Sequence, residues 1–126
     1  MRTYKPRKGL PKLPPLHKLV RNRVMAEALG VAKSTILAHL RSVGLRGQRE
    51  VSLWLLTDMK LGTGKAARLL GCSRCTVLRQ IAADEIVAER APDGYRRISL
   101  DEILRRRAEI KAATRRARTR ARRRRR

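Results

Sequence analysis

The sequence predicts a mainly α fold made of tandem helix-turn-helix units, the second with a two-stranded β wing, followed by a basic C-terminal helix or tail. Three observations carry this. The stretch Lys65 to Ile81, KAARLLGCSRCTVLRQI, spaces its apolar positions as two short helices joined by a tight turn. Ala67 lets the second helix approach closely, and Gly71 can take the positive φ that such a turn demands. The same arrangement stands forty-one residues upstream. There Ala26, Leu29, Gly30, Val31, Lys33, Thr35, Ile36, Leu37 and Leu40 align without a gap with Ala67, Leu70, Gly71, Cys72, Arg74, Thr76, Val77, Leu78 and Ile81. Finally, Asp93-Gly94 separates two short extended runs, a hairpin signal. A repeat that served only packing would keep the inward apolar positions. This one also keeps the outward cation, Lys33 or Arg74.

Composition bounds what such a chain can be. Its 126 residues suffice for one compact domain or two very small ones, and not for a large catalytic core. Phe is absent and the aromatics are Tyr4, Trp54 and Tyr95, so the core must be aliphatic. The net charge is +23, and the nine arginines among the last twelve residues leave +14 for the rest. That excess calls for a polyanionic partner, with nucleic acid first. No run of about twenty apolar residues could span a bilayer, and the arginine-rich end has no face to insert into one. Prolines stand where a secretory signal would need an apolar run, so the expectation is a cytoplasmic, nucleoid-associated protein.

Residues 1–15 hold Pro6, Pro11, Pro14 and Pro15 among Arg2, Lys5, Arg7, Lys8 and Lys12, which excludes a helix and favours an extended arm. Such an arm either follows a DNA backbone or minor groove or is a basic leader with no contact of its own. The first unit covers 16–46: a short helix over Leu16 to Arg21 with Pro15 at its start, a second over Val24 to Leu29, and a recognition-type helix over Lys33 to Arg41. Ala32 stands where Ser73 caps the equivalent helix, so this helix should start less firmly by ~1 kcal/mol. Lys33, Ser34, Ala38 and His39 face outward, and Gly44 ends the unit with Leu45 packing back.

The second unit covers 47–106. Val51, Trp54 and Leu55 predict a helix from about residue 49 or 50 to Met59, with Trp54 as core anchor. Thr63 is the expected cap of the helix carrying Ala67, and Ser73 of the next one, which turns Arg74, Cys75, Leu78, Arg79 and Gln80 outward. The wing spans Ile86 to Ile98 about the turn at Pro92 to Gly94. Ser99 starts a helix, with Glu102 completing a capping box and Leu100, Ile103 and Leu104 packing inward. Residues 107–126 form an Arg-rich helix or tail that little holds to the body beyond Ala113.

Cys72 and Cys75 make a single Cys-x-x-Cys, whereas tetrahedral zinc needs two more ligands, and neither His17 nor His39 has matching spacing. A redox dithiol would normally follow a strand. Structural thiols account for both, since Cys72 takes the turn position of Val31 and Cys75 the place of Ser34. No catalytic constellation, metal site or cofactor is expected, and the chain is not expected to be an enzyme.

The run Lys65 to Arg106, with Leu-Gly-Cys-Ser-Arg at Leu70 to Arg74, Asp-Gly-Tyr-Arg-Arg-Ile at Asp93 to Ile98 and Ser-x-Asp-Glu-Ile at Ser99 to Ile103, resembles the winged helix-turn-helix of the MerR and excisionase superfamily. The resemblance implies that Arg74, Thr76 and Arg79 meet the major groove and its phosphates. It also implies that Tyr95, Arg96 and Arg97 on the wing meet the backbone or minor groove. Gln80 stands where excisionases often have an aromatic, and ligand sensing of the MerR kind is not implied. The first unit resembles helix-turn-helix modules generally and has no recognisable wing.

The expected function is binding of double-stranded DNA by a sequence-specific transcriptional regulator that reads a bipartite site with two recognition helices, ~34 Å apart on successive major grooves. The DNA-binding set is Lys33, Ser34, Thr35, Ala38, His39, Arg41, Ser73, Arg74, Cys75, Thr76, Arg79, Gln80, Tyr95, Arg96 and Arg97. Within it Arg suits guanine and Gln suits adenine. The alternatives are an excisionase-type recombination directionality factor, an architectural protein that coats or condenses DNA and, behind these, an RNA-binding protein, for which stacking aromatics are scarce. An integrase or RNA polymerase is the protein partner these roles imply. The chain would act as a monomer or in cooperative side-by-side assembly on DNA.

Overall fold

The structure, a computed structural model, describes residues 10–125. In chain order these form β1 (Val20–Arg21), α1 (Asn22–Leu29), α2 (Lys33–Ser42), β2 (Glu50–Val51), a 3₁₀ turn (Leu53–Leu56), β3 (Lys60–Gly62), α3 (Thr63–Leu70), α4 (Arg74–Ala82), β4 (Glu89–Arg90), β5 (Arg96–Ser99) and α5 (Leu100–Arg124). The fold is mainly helical, with two small antiparallel sheets of order β1-β2 and β3-β5-β4.

The two helix pairs, α1 with α2 and α3 with α4, turn on the same backbone geometry. Gly30 has φ 71° and ψ 29°, Gly71 has φ 67° and ψ 28°, and both occupy the left-handed region that a side chain would strain. In each pair the residue after the glycine donates its N–H back across the turn, Val31 to the carbonyl of Ala26 and Cys72 to that of Ala67, both at 3.0 Å. Ala32 caps α2 without a side-chain bond, whereas the Ser73 hydroxyl accepts from the Thr76 N–H at the start of α4. The two caps thus differ as their sequences predict.

The correspondence extends past the helices. Val20 pairs with Val51 in the first sheet, and Leu61 pairs with Ile98 in the second. Seven residues join α2 to β2, and thirteen join α4 to β5. The surplus in the second pair forms β4 and the turn at Ala91 to Tyr95, a hairpin in the region of the expected wing, with its first strand at Glu89–Arg90 rather than over Ile86 to Ala88 and with β3 as a third strand. The first pair keeps the closing strand and lacks the wing.

Several expectations change. Leu16 to Arg21 is not a helix: the chain turns at Leu16 and His17, with Lys18 N–H donating to the Pro15 carbonyl, then runs extended into β1. Pairing of Val20 with Val51 draws the next segment into a strand, so the helix expected up to Met59 shrinks to the 3₁₀ turn Leu53–Leu56. At three residues per turn, Leu53 and Leu56 share the buried face and Trp54 points away. Trp54 is accordingly 57% exposed rather than a core anchor, its ring centroid 5.3 Å from that of His17. Gly62, not Thr63, is the cap of α3, and Thr63 is buried in its first turn.

The core is one aliphatic cluster running from Met25 in α1 to Ile103 in α5, so the two pairs share an interior. Gly44 (φ 83°) ends the first pair, and Leu45 packs back on the cluster. Leu100 and Asp101 donate to the carbonyls of Met59 and Thr57 at 2.8 and 2.9 Å, which fixes the start of α5. Ser99 caps that helix, but Glu102 does not complete the box. Its carboxylate accepts instead from the Val87 N–H and from the Arg105 guanidinium.

Arg107, assigned from sequence to the Arg-rich C-terminal helix or tail, is buried. Its guanidinium donates to the Leu69 carbonyl at 2.5 Å and to the Pro11 carbonyl at 2.6 Å. It therefore satisfies a C-terminal carbonyl of α3 and clamps the Leu10 to Leu13 segment, part of the expected arm, against the body. Residues 1–9 of that arm lie outside the described residues.

Candidate nucleic-acid interface

None of the ten acidic residues falls in α2 or α4. Amphipathic spacing buries Ile36 and Leu40 of α2 and Val77 and Ile81 of α4, which turns the remaining faces to solvent. On α2, Lys33, Ser34, Thr35, Ala38 and Arg41 are exposed together; on α4, Cys75 and Arg79 are exposed beside Leu78.

Four candidates are already engaged within the chain. Ser73 and Thr76 have their hydroxyl oxygens 2.9 Å apart in the cap of α4. Arg74 donates from Nε to the Thr63 hydroxyl at 3.0 Å, which bends it toward the start of α3 and away from the outer face of α4. Arg97 pairs with Asp93 at 3.1 Å, a contact that braces the wing tip together with the Asp93 carboxylate accepting from the Tyr95 N–H.

His39 and Gln80, expected outward, are half-buried instead. They occupy the same place forty-one residues apart, and the chain leaving each helix folds over it. Val43 N–H donates to the His39 carbonyl, and Glu85 and Ile86 N–H donate to that of Gln80. His39 Nε2 and Gln80 Oε1 are both buried without a partner among the described residues.

Beside α4 a groove of about 360 Å³ opens between the helix and the wing. Arg74, Arg96 and Arg97 surround it, Gly62, Thr63 and Gly64 at the start of α3 form its floor, and Tyr95, 61% exposed, stands at its edge. Three guanidiniums and the N-terminus of a helix converge there, an arrangement that favours an anion. A shallower groove lies beside α2, lined by Leu37, Arg41, Leu45, Arg46 and Gly47. Sequence reasoning missed Thr63 and Arg46. The glycines on either side of Thr63, and the paired glycines at 44 and 47, were the available signals.

Cys72 is half-buried and Cys75 exposed, and both are thiols. Burial raises the Cys72 pKa, against a smaller lowering by Arg106, so this thiol is held in its neutral form. Among the described residues no three His, Cys, Asp or Glu side chains gather as metal ligands, and no helix is long and apolar enough to cross a membrane.

Comparison of the chain with protein-family models, curated proteins and solved structures finds no match.

Proposed function

We propose that the chain binds double-stranded DNA through its two helix pairs, read as helix-turn-helix units, with α2 and α4 as recognition helices. The observation that carries this is the recurrence, at a fixed interval, of an acid-free exposed helix face, each with an arginine-lined groove beside it, although the two grooves draw on different arginines. Packing alone gives no reason to keep such a face twice.

In this reading Arg79 and Cys75 of α4, with Lys33, Ser34, Ala38 and Arg41 of α2, approach base edges. Arg74 and Arg96 hold phosphates in the groove by the wing, where charge gives affinity and register without sequence. Arg97, tied to Asp93, stiffens the wing, and α5 adds further phosphate contacts. A transcriptional regulator is the first role and a recombination directionality factor the second. Integrase or RNA polymerase would be the corresponding protein partner.

Selection from random duplexes at moderate salt tests the reading. A defined motif is expected, and Arg79→Ala should relax it at one position, by about 1–3 kcal/mol of lost discrimination. Binding that yields no motif would favour coating of DNA over reading it. Absence of duplex binding at low salt would end the proposal.

A further inference from the structure

We propose that a second copy of this chain docks the outer face of α1, Val24 and Glu27, into a groove beside Gly71, so that copies join head to tail. The groove measures about 650 Å³ and runs between the Leu10 to Leu13 segment and α5. Leu13, Leu70 and Ile110 give it an apolar floor, Lys111, Arg115 and Arg118 give it a cationic rim, and no acid among the described residues lines it.

The precedent lies inside the chain. The turn of the first helix pair is covered by the outer face of α3: Lys65 donates from Nζ to the Gly30 carbonyl at 2.9 Å, and the Arg68 side chain lies over the Gly30 α-carbon. The forty-one-residue repeat makes Gly71 the counterpart of Gly30, and Val24 and Glu27 the counterparts of Lys65 and Arg68. One copy therefore ends in an outer helix face with no turn beneath it and, at its other end, in a turn that lines a groove.

The substitutions between the counterparts suit this junction. Where α3 presents two cations, α1 presents an apolar side chain, 50% exposed, and a carboxylate whose only ion pair among the described residues is a surface contact with Arg23 at 3.7 Å. An apolar knob flanked by an acid matches an apolar floor rimmed by arginines. Residues 1–9 are a poorer match, because Arg2, Lys5, Arg7 and Lys8 carry the same sign as the rim. A face meeting a different face adds copies in series, into a ring where the rotation between copies closes and a filament where it does not.

This junction does not rest on the DNA reading, and its test contains no DNA. Nucleic-acid-free protein is followed by sedimentation at roughly 0.3 M salt, where long-range repulsion is screened. The mean mass should rise with concentration. Glu27→Arg, and separately Arg115→Glu with Arg118→Glu, should each weaken association at least tenfold, and mixing the two variants should restore it. Val24→Lys, on the same exposed face, should behave as Glu27→Arg does. Wild-type protein that stays monomeric, variants that associate unchanged, or a mixture that stays monomeric would each overturn the proposal. So would association that arises only when residues 1–9 are removed, since the groove would then belong to the chain's own arm.

Discussion

Lys65 donates its ammonium to the carbonyl of Gly30 at 2.9 Å, which puts a cation of the second helix pair on the C-terminal end of α1 in the first. A positive charge there complements the helix dipole, by about 0.3–1 kcal/mol for a surface group. Arg107 does the same for α3 through the Leu69 carbonyl. Each leading helix is therefore finished by a cation supplied from later in the chain.

The junction at Gly30 can be probed by adding one methyl group. Gly30→Ala places a Cβ against the Arg68 guanidinium in a backbone with φ 71°, whereas Gly44→Ala adds one in open space at φ 83°. Both carry left-handed strain of roughly 1–2 kcal/mol. Thermal unfolding should show Gly30→Ala to be the more destabilising, by the cost of moving Arg68. Equal losses would mean that this contact contributes nothing to stability.

Arg107→Met keeps an unbranched apolar stem and removes the guanidinium donors. The Leu69 and Pro11 carbonyls then lose their partner, for an expected loss of about 1–3 kcal/mol. Amide hydrogen exchange should accelerate over Lys12 and Leu13 more than over α4. Unchanged exchange in that segment would show that it is held by packing alone.

Glu102 contributes to the acid limb of stability. Its hydrogen bond from Arg105, with a further one from the Val87 N–H, holds its carboxyl below the ordinary value of 4.5, against partial burial. Protons therefore bind the unfolded chain more readily than the folded one. The contribution is complete above pH 4.5 and is lost as pH falls through the lower folded value. Glu102→Gln should flatten the fall in melting temperature between pH 5 and pH 3, relative to wild type, by removing this titration.

Deleting residues 115–126 should weaken binding to every duplex alike. If each tail arginine meets a phosphate, the slope of log affinity against log salt should drop by up to ~8. An unchanged slope would assign the tail to some other partner.

The helix pairs, the wing and the capped start of α5 were legible because each is written locally, in a glycine between periodic runs, an Asp-Gly turn or a serine before an acid. Segments decided by distant pairing were not. Val51 could not be seen as a strand residue without Val20, and that pairing displaced Trp54 from the core. Arg107 reads as one more arginine of the basic C-terminal helix because the carbonyls it serves lie thirty-eight and ninety-six positions away. Arg74 reads as facing outward from the start of α4, but its turn toward Thr63 requires the three-dimensional path of the Gly62 to Gly64 segment.

Only one of the two helix pairs carries a wing, thirteen residues against seven between helix and closing strand. A molecule built this way has a front and a back. On the proposed reading it would sit on a duplex in a single orientation and favour a target that is not a palindrome, so that inverting the site would reverse which flank the long C-terminal helix reaches.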